Sequence, residues 1–168
     1  HPHSKAHALQ AALLIAQLRA DHRAVGEYWQ RLLEVAEKYN LPPQRTHAAF
    51  MSGWERAFTT DLDAGLAAME SEFPRASSIG LFFRYYAALL AEGREKAGRF
   101  ADALTVLRPA LESVTEPGVG FYVSELYRLQ GVCLLRLDPS NEVEAMRSLQ
   151  NAVDIARRQG ATLLELKA

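Results

Sequence analysis

The stretch AALLAEGREKAGRFADALTVLRPA, residues 87–110, decides how this chain is read. Ala87, Leu90, Ala91 and Arg94 follow one another at the three- and four-residue steps of a helical face. Eight residues pass, and Ala103, Leu107 and Ala110 take up the same steps. Gly98, inside that gap, is the residue type that closes a helix in the left-handed conformation. Two helices joined so tightly form an antiparallel hairpin.

The spacing recurs in both directions. Leu9, Ala12, Leu13 and Ala16 precede the same gap of eight, then Val25, Trp29 and Leu32. Ala49, Ser52, Gly53 and Arg56 precede Gly65, Met69 and Glu72, with a charged residue at the last step. Tyr127, Gln130, Gly131 and Leu134 precede a gap of ten, then Ala145, Leu149 and Ala152; Asp138-Pro139-Ser140-Asn141 accounts for the insertion. Small residues at Gly53, Gly65, Ala91, Ala103, Gly131 and Ala145 predict close approach of the two helices in a hairpin. Large residues four further on, Trp29, Met69, Leu107 and Leu149, are expected to fill the gap to the next hairpin. The period is about forty residues, longer than the ~34 of the standard tetratricopeptide repeat.

Punctuation places the elements. The first helix is predicted over 4–19, and Asp21 caps a second that ends near Tyr39. Asn40-Leu41-Pro42-Pro43 reads as a break, with a third helix over 44–58. Thr60 or Asp61 caps a fourth that ends near Phe73-Pro74, and Ser77 or Ser78 a fifth that runs to Ala97. The sixth is predicted over 99–114, with a kink or early end at Pro109, and Glu116-Pro117-Gly118 as the next break. The seventh covers 120–137. Asp138-Pro139 opens the eighth, Gly160 closes it, and a ninth starts at Ala161. No β-branched alternating run reads as a strand.

This pattern resembles the tetratricopeptide repeat. The segment Ser124-Glu125-Leu126-Tyr127-Arg128-Leu129-Gln130-Gly131-Val132-Cys133-Leu134-Leu135, the step Ala152-Val153-Asp154-Ile155-Ala156-Arg157-Arg158-Gln159-Gly160-Ala161 and Leu164-Glu165-Leu166 are similar to one lineage of it. That lineage is the C-terminal repeat region of large bacterial signalling ATPases. In these, a class III adenylate/guanylate cyclase domain or a helix-turn-helix (LuxR-type) regulator domain precedes an ATPase module and then the repeats. The opening His1-Pro2-His3-Ser4 and the Gly53-Trp54 step share the likeness. The resemblance implies an all-α fold, a right-handed superhelical array of antiparallel hairpins forming a tetratricopeptide-like α-solenoid. The hairpins would lie at about 4–39, 44–73, 78–114 and 120–159, with a truncated ninth helix over 161–168, in a single repeat domain excised from a larger protein. Cyclase and ATPase chemistry would lie in other domains of that parent.

Composition narrows the function. Nineteen basic and twenty acidic residues are interspersed, which argues against a nucleic-acid or anionic membrane surface. The longest apolar run, residues 11–16, is too short for a bilayer. No signal peptide is visible, and the lone Cys133 fits a cytoplasmic setting. Phosphate-binding glycine motifs are missing, and Gly118-Val119-Gly120 reads as a loop. His1, His3 and His7 read as exposed imidazoles, His22 and His47 as packing or surface residues, and Cys133 as a buried inert thiol. Glu92 and Glu95 beside Arg94 and Lys96, like Asp61 and Asp63, read as solvated charge. No catalytic residue, cofactor or metal is expected.

A binding module is the expectation. Repeat arrays bind along the surface lined by the first helix of each hairpin. Projected there are His7, Gln10 and Leu14, then His47, Phe50 and Trp54, then Tyr85, Ala88 and Glu92, then Glu125, Arg128 and Val132. His47, Phe50, Trp54, Tyr85 and Arg128 are the candidate contacts to a protein, a peptide or another domain of the same chain. The other reading of the rings is core between hairpins. An alternative function is a small-ligand effector site in the same groove. An apolar array end with Leu149 and Ile155 is expected to support a homodimer.

Overall fold

The structure, a computed structural model, describes residues 1–114, 120 and 122–162, with Leu81 described by its backbone alone. Among them lie eight α-helices and two single 3-10 turns, with no strand. The chain divides into two compact units, His1–Ile79 and Gly80–Ala168.

The first unit holds α1 (Pro2–Leu18), α2 (His22–Lys38), α3 (Pro42–Thr59) and α4 (Leu62–Ser77). Each helix packs on the next, and α1 also touches α3. The turns explain the connections. Ala20 sits left-handed at φ 53°, and the Asp21 amide donates back to the Ala16 carbonyl. Asn40 at φ 50° does the same for Leu41 and Ala36. Asp21 and Asp61 then cap α2 and α4 by accepting from the Ala24 and Ala64 amides.

Between α3 and α4 the small-residue reading becomes geometry. A Cβ on Gly53 would lie 3.0 Å from both the Gly65 carbonyl oxygen and the Met69 amide. Met69 therefore covers the glycine of its own hairpin. Glu72, the charged departure from the pattern, turns aside to pair with Arg75 at 3.1 Å.

The second unit holds α5 (Phe83–Lys96), α6 (Phe100–Glu112), α7 (Val123–Leu137) and α8 (Glu142–Arg158). One-turn 3-10 segments precede α5 (Gly80–Phe82) and α8 (Pro139–Asn141). Consecutive helices pack again, and α5 touches α7. Gly98 (φ 73°) and Gly160 (φ 62°) make the same left-handed closure as Ala20 and Asn40. At Gly131 an added Cβ would meet the Leu149 side chain at 2.7 Å and the Ala145 carbonyl at 2.9 Å, repeating the α3–α4 crossing.

Several boundaries move. Pro42 and Pro43 begin α3, since the first turn needs no amide donor there. Pro74 lies inside α4, which runs on to Ser77; Ser77 and Ser78 return their hydroxyls to the Pro74 and Arg75 carbonyls and so close that helix rather than open the next. α6 runs past Pro109 to Glu112, and the Ser113 amide still reaches the Pro109 carbonyl. Asp138 caps the 3-10 turn by accepting from the Ser140 amide, and α8 starts only at Glu142. Ile155, expected on an open face, is buried at 3 % exposure. The expected break at Glu116-Pro117-Gly118, the Gly118-Val119 part of the loop, and the ninth helix beyond Thr162 lie outside the described residues.

Candidate functional site

In the first unit, α3 presents no free side where His47, Phe50 and Trp54 stand. All three are at most 2 % exposed, so the predicted open aromatic surface is corrected to packed core on this helix. Trp54 stacks on His22 from α2, with ring centres 5.2 Å apart, and on Phe58 one turn along α3, at 4.9 Å, and those two rings stand 6.4 Å from each other, so the three form a cluster. The Nε1 of Trp54 and the Nδ1 of His22 have no hydrogen-bond partner among the described residues. Burial pushes the His47 imidazole down to about 4, so it is neutral at physiological pH. His22, which the sequence offers as a packing or surface residue, is a stacking partner here because α2 folds back on α3.

In the second unit, Tyr85 is fully buried on α5 and meets Tyr122 edge-on at 5.0 Å. Tyr122 holds a left-handed backbone at φ 70° just ahead of α7, which few bulky residues adopt. Burial raises the Tyr85 phenol well above its ordinary range, and Tyr122, Tyr86 and Glu92 add to the rise. Tyr85 thus joins the core of its own unit and leaves the predicted patch.

Arg128 is the one predicted contact that keeps a reach to solvent. Its side chain is 17 % exposed and that of Glu125 only 3 %. The guanidinium donates twice to the Glu125 carboxylate, at 2.9 and 2.8 Å. Burial works against its charge, but the Glu125 bonds and the charges of Glu125, Glu92 and Glu95 outweigh it and hold its pKa above the usual value. Glu92 and Glu95 come from α5 and are half-buried. Three carboxylates thus gather around this guanidinium on the α5–α7 face. Such a face attracts a cationic group and repels phosphate. The i, i+3 spacing of Glu125 and Arg128 is readable in the sequence; the approach of Glu95, one turn past Glu92 on a different helix, is not.

Burial pushes the Cys133 thiol up to about 12, with Glu95 adding to the rise and Arg128 opposing it. His1 and His3 stack on each other at 5.5 Å. Among the described residues no group of three or more His, Cys, Asp or Glu is arranged to hold a metal ion. An open cleft of about 410 Å3 between the start of α1 and the end of α2 is lined by Lys5, Glu34, Lys38 and Tyr39, among others, and by none of the predicted contacts. No described helix is long and apolar enough to cross a membrane.

No family model matches the chain. An uncharacterized protein of Rhizobium meliloti (strain 1021) is 28 % identical over 174 residues. The match takes in 100 % of this chain and 16 % of that protein, so the chain spans about a sixth of the relative's length.

Proposed function

We propose that this chain is a stretch of a tetratricopeptide-like α-solenoid that binds a protein segment, from a partner or from its own polypeptide, inside a larger bacterial signalling protein of the cyclase-like or LuxR-type ATPase kind. The supporting observation is that first helices of successive hairpins touch within each unit, α1 with α3 and α5 with α7. Side-by-side first helices form the lining on which such arrays take extended or helical segments. In this reading the segment adds no catalytic group, and any enzymatic activity belongs to the parent's other domains. The likeness to a small part of a much longer protein agrees with a module of a large polypeptide.

The α5–α7 face gives the partner its chemistry. Glu92, Glu95 and Glu125 gather there around the single guanidinium of Arg128, which supports a cationic partner. A lysine-rich amphipathic helix fits it better than an acidic one. Anisotropy titration of the chain with such a labelled peptide should show binding, and with a glutamate-rich peptide of the same pattern none. The double substitution Glu92→Lys with Glu95→Lys should weaken the cationic peptide by about tenfold or more while helix content stays unchanged. Failure of both peptides, together with a rise in melting temperature on adding a nucleotide or other small molecule, would move the reading to an effector-binding domain.

A further inference from the structure

We propose that the first unit binds a free acidic amino acid in each of two clefts, at the mouths of its two hairpins. Beside the cleft of about 410 Å3 between α1 and α2, a second of about 320 Å3 opens where the start of α3 meets the end of α4. Both volumes suit a small molecule. The two linings repeat one charge set with different residues. Lys5 from α1 stands with Lys38 and Glu34 from α2; Arg45 from α3 stands with Arg75 and Glu72 from α4. Lys5 and Arg45 hold the same repeat position, four residues before Leu9 and Ala49. Among the described residues only Arg75 and Glu72 are paired, at 3.1 Å, while Lys5, Lys38, Glu34 and Arg45 enter no ion pair. In the second unit the matching cleft is built otherwise. There Arg84 donates to the Ser113 hydroxyl and carbonyl at the end of α6, and no carboxylate of the described residues lines the space.

The ligand class follows from charge and from backbone polarity. At a hairpin mouth the first helix presents its start and the second its end. One wall therefore carries unbonded amides and the other unbonded carbonyls. Asp21 and Asp61 cap α2 and α4, but no side chain caps α1 or α3. An anion is favoured at the first-helix wall and a cation at the second-helix wall, where Glu34 and Glu72 stand. Two cations and one carboxylate per cleft are the complement of aspartate or glutamate, which carry two carboxylates and one ammonium. One ligand carboxylate meets Lys5 or Arg45, the other meets Lys38 or Arg75, and the ammonium donates to Glu34 or Glu72. A polyphosphate has no donor for those glutamates and is repelled by them.

The inference goes beyond the peptide reading and does not rest on it. Titration of the whole chain with L-glutamate, followed by two-dimensional amide NMR at low ionic strength, should move two separate groups of signals. One group surrounds Lys5 and Lys38, the other Arg45 and Arg75. L-Glutamine lacks one carboxylate and glutarate lacks the ammonium, so each should need about tenfold higher concentration. Arg45→Gln should silence the second group and leave the first, and Lys5→Gln should do the reverse. Both side chains are exposed, so circular dichroism should show unchanged helix content. Glutarate as effective as L-glutamate overturns the proposal and reduces the clefts to general attraction of anions. Signals that stay still in the parent chain, or that still move in the matching variant, overturn it too. The double substitution Glu92→Lys with Glu95→Lys should leave both groups responsive, so this inference and the cationic-partner reading fail separately.

Discussion

At Gly65 a methyl group has nowhere to go. A Cβ there would sit 2.6 Å from the Gly53 carbonyl oxygen and nearer still to the Ala57 backbone. Backbone cannot rotate away as a side chain can, so Gly65→Ala should force α3 and α4 apart and cost about 1–3 kcal/mol. Gly26 is the opposite case: nothing lies within 4 Å of the same position. Gly26→Ala should stabilise by about 0.5–1 kcal/mol, because alanine loses less freedom in a helix. Urea unfolding of both variants checks the contrast; equal effects would refute the close crossing. His47 gives a pH signature. Unfolded, the ring takes a proton near 6.5; folded, only near 4. Between those values the unfolded chain binds more protons, so stability is whole above pH 6.5, declines as pH falls toward 4 and is flat below. The full loss is about 3 kcal/mol. Denaturation midpoints at pH 7 and 4.5 should differ in the parent chain and converge in His47→Gln; a parent without the difference would place His47 in water.

At the scale of the element, four turns share one shape with different residues at its left-handed position: Ala20, Asn40, Gly98 and Gly160. Glycine and asparagine accept that backbone; alanine is strained there. Ala20→Gly should raise the melting temperature by a few degrees, equivalent to roughly 1 kcal/mol, whereas Gly98→Ala should lower it by a similar amount. Calorimetry of the pair tests this. The turns also show what the sequence discloses. Asp21, Gly98 and Gly160 mark their junctions without ambiguity, since oxygen caps and left-handed glycines have few other uses. Pro42, Pro74 and Ser78 mislead because proline both breaks and begins helices, and serine closes them as well as opening them. The aromatic face misleads for a stronger reason. Projection onto a wheel supposes a free side, yet every residue from Tyr85 to Ala91 is buried. Over those two turns α5 is covered all round, so Tyr85 has no face to look out from.

Among the described residues, the main helix packing joins helices that neighbour one another along the chain, with α1–α3 and α5–α7 beside them. Contacts so local require little loop closure before they form. The main refolding phase, followed by Trp29 and Trp54 fluorescence in stopped flow, should finish in about milliseconds or less; a main phase of seconds would require long-range pairing that this arrangement lacks. Hairpin count and spacing were legible because each hairpin writes the same small-to-large step. The division at Ile79 was not, because Ser77-Ser78-Ile79-Gly80 reads as one more interhelix loop.

The burial that keeps Cys133 protonated has a practical side. Thiol reagents react with thiolate, and a group pushed up to about 12 supplies almost none at neutral pH. The native cysteine can therefore stay in place while a second is introduced on an exposed position such as Val143. A maleimide dye or spin label should then attach at the new site alone, so the surroundings of that position can be followed in a chain with one substitution and an intact core.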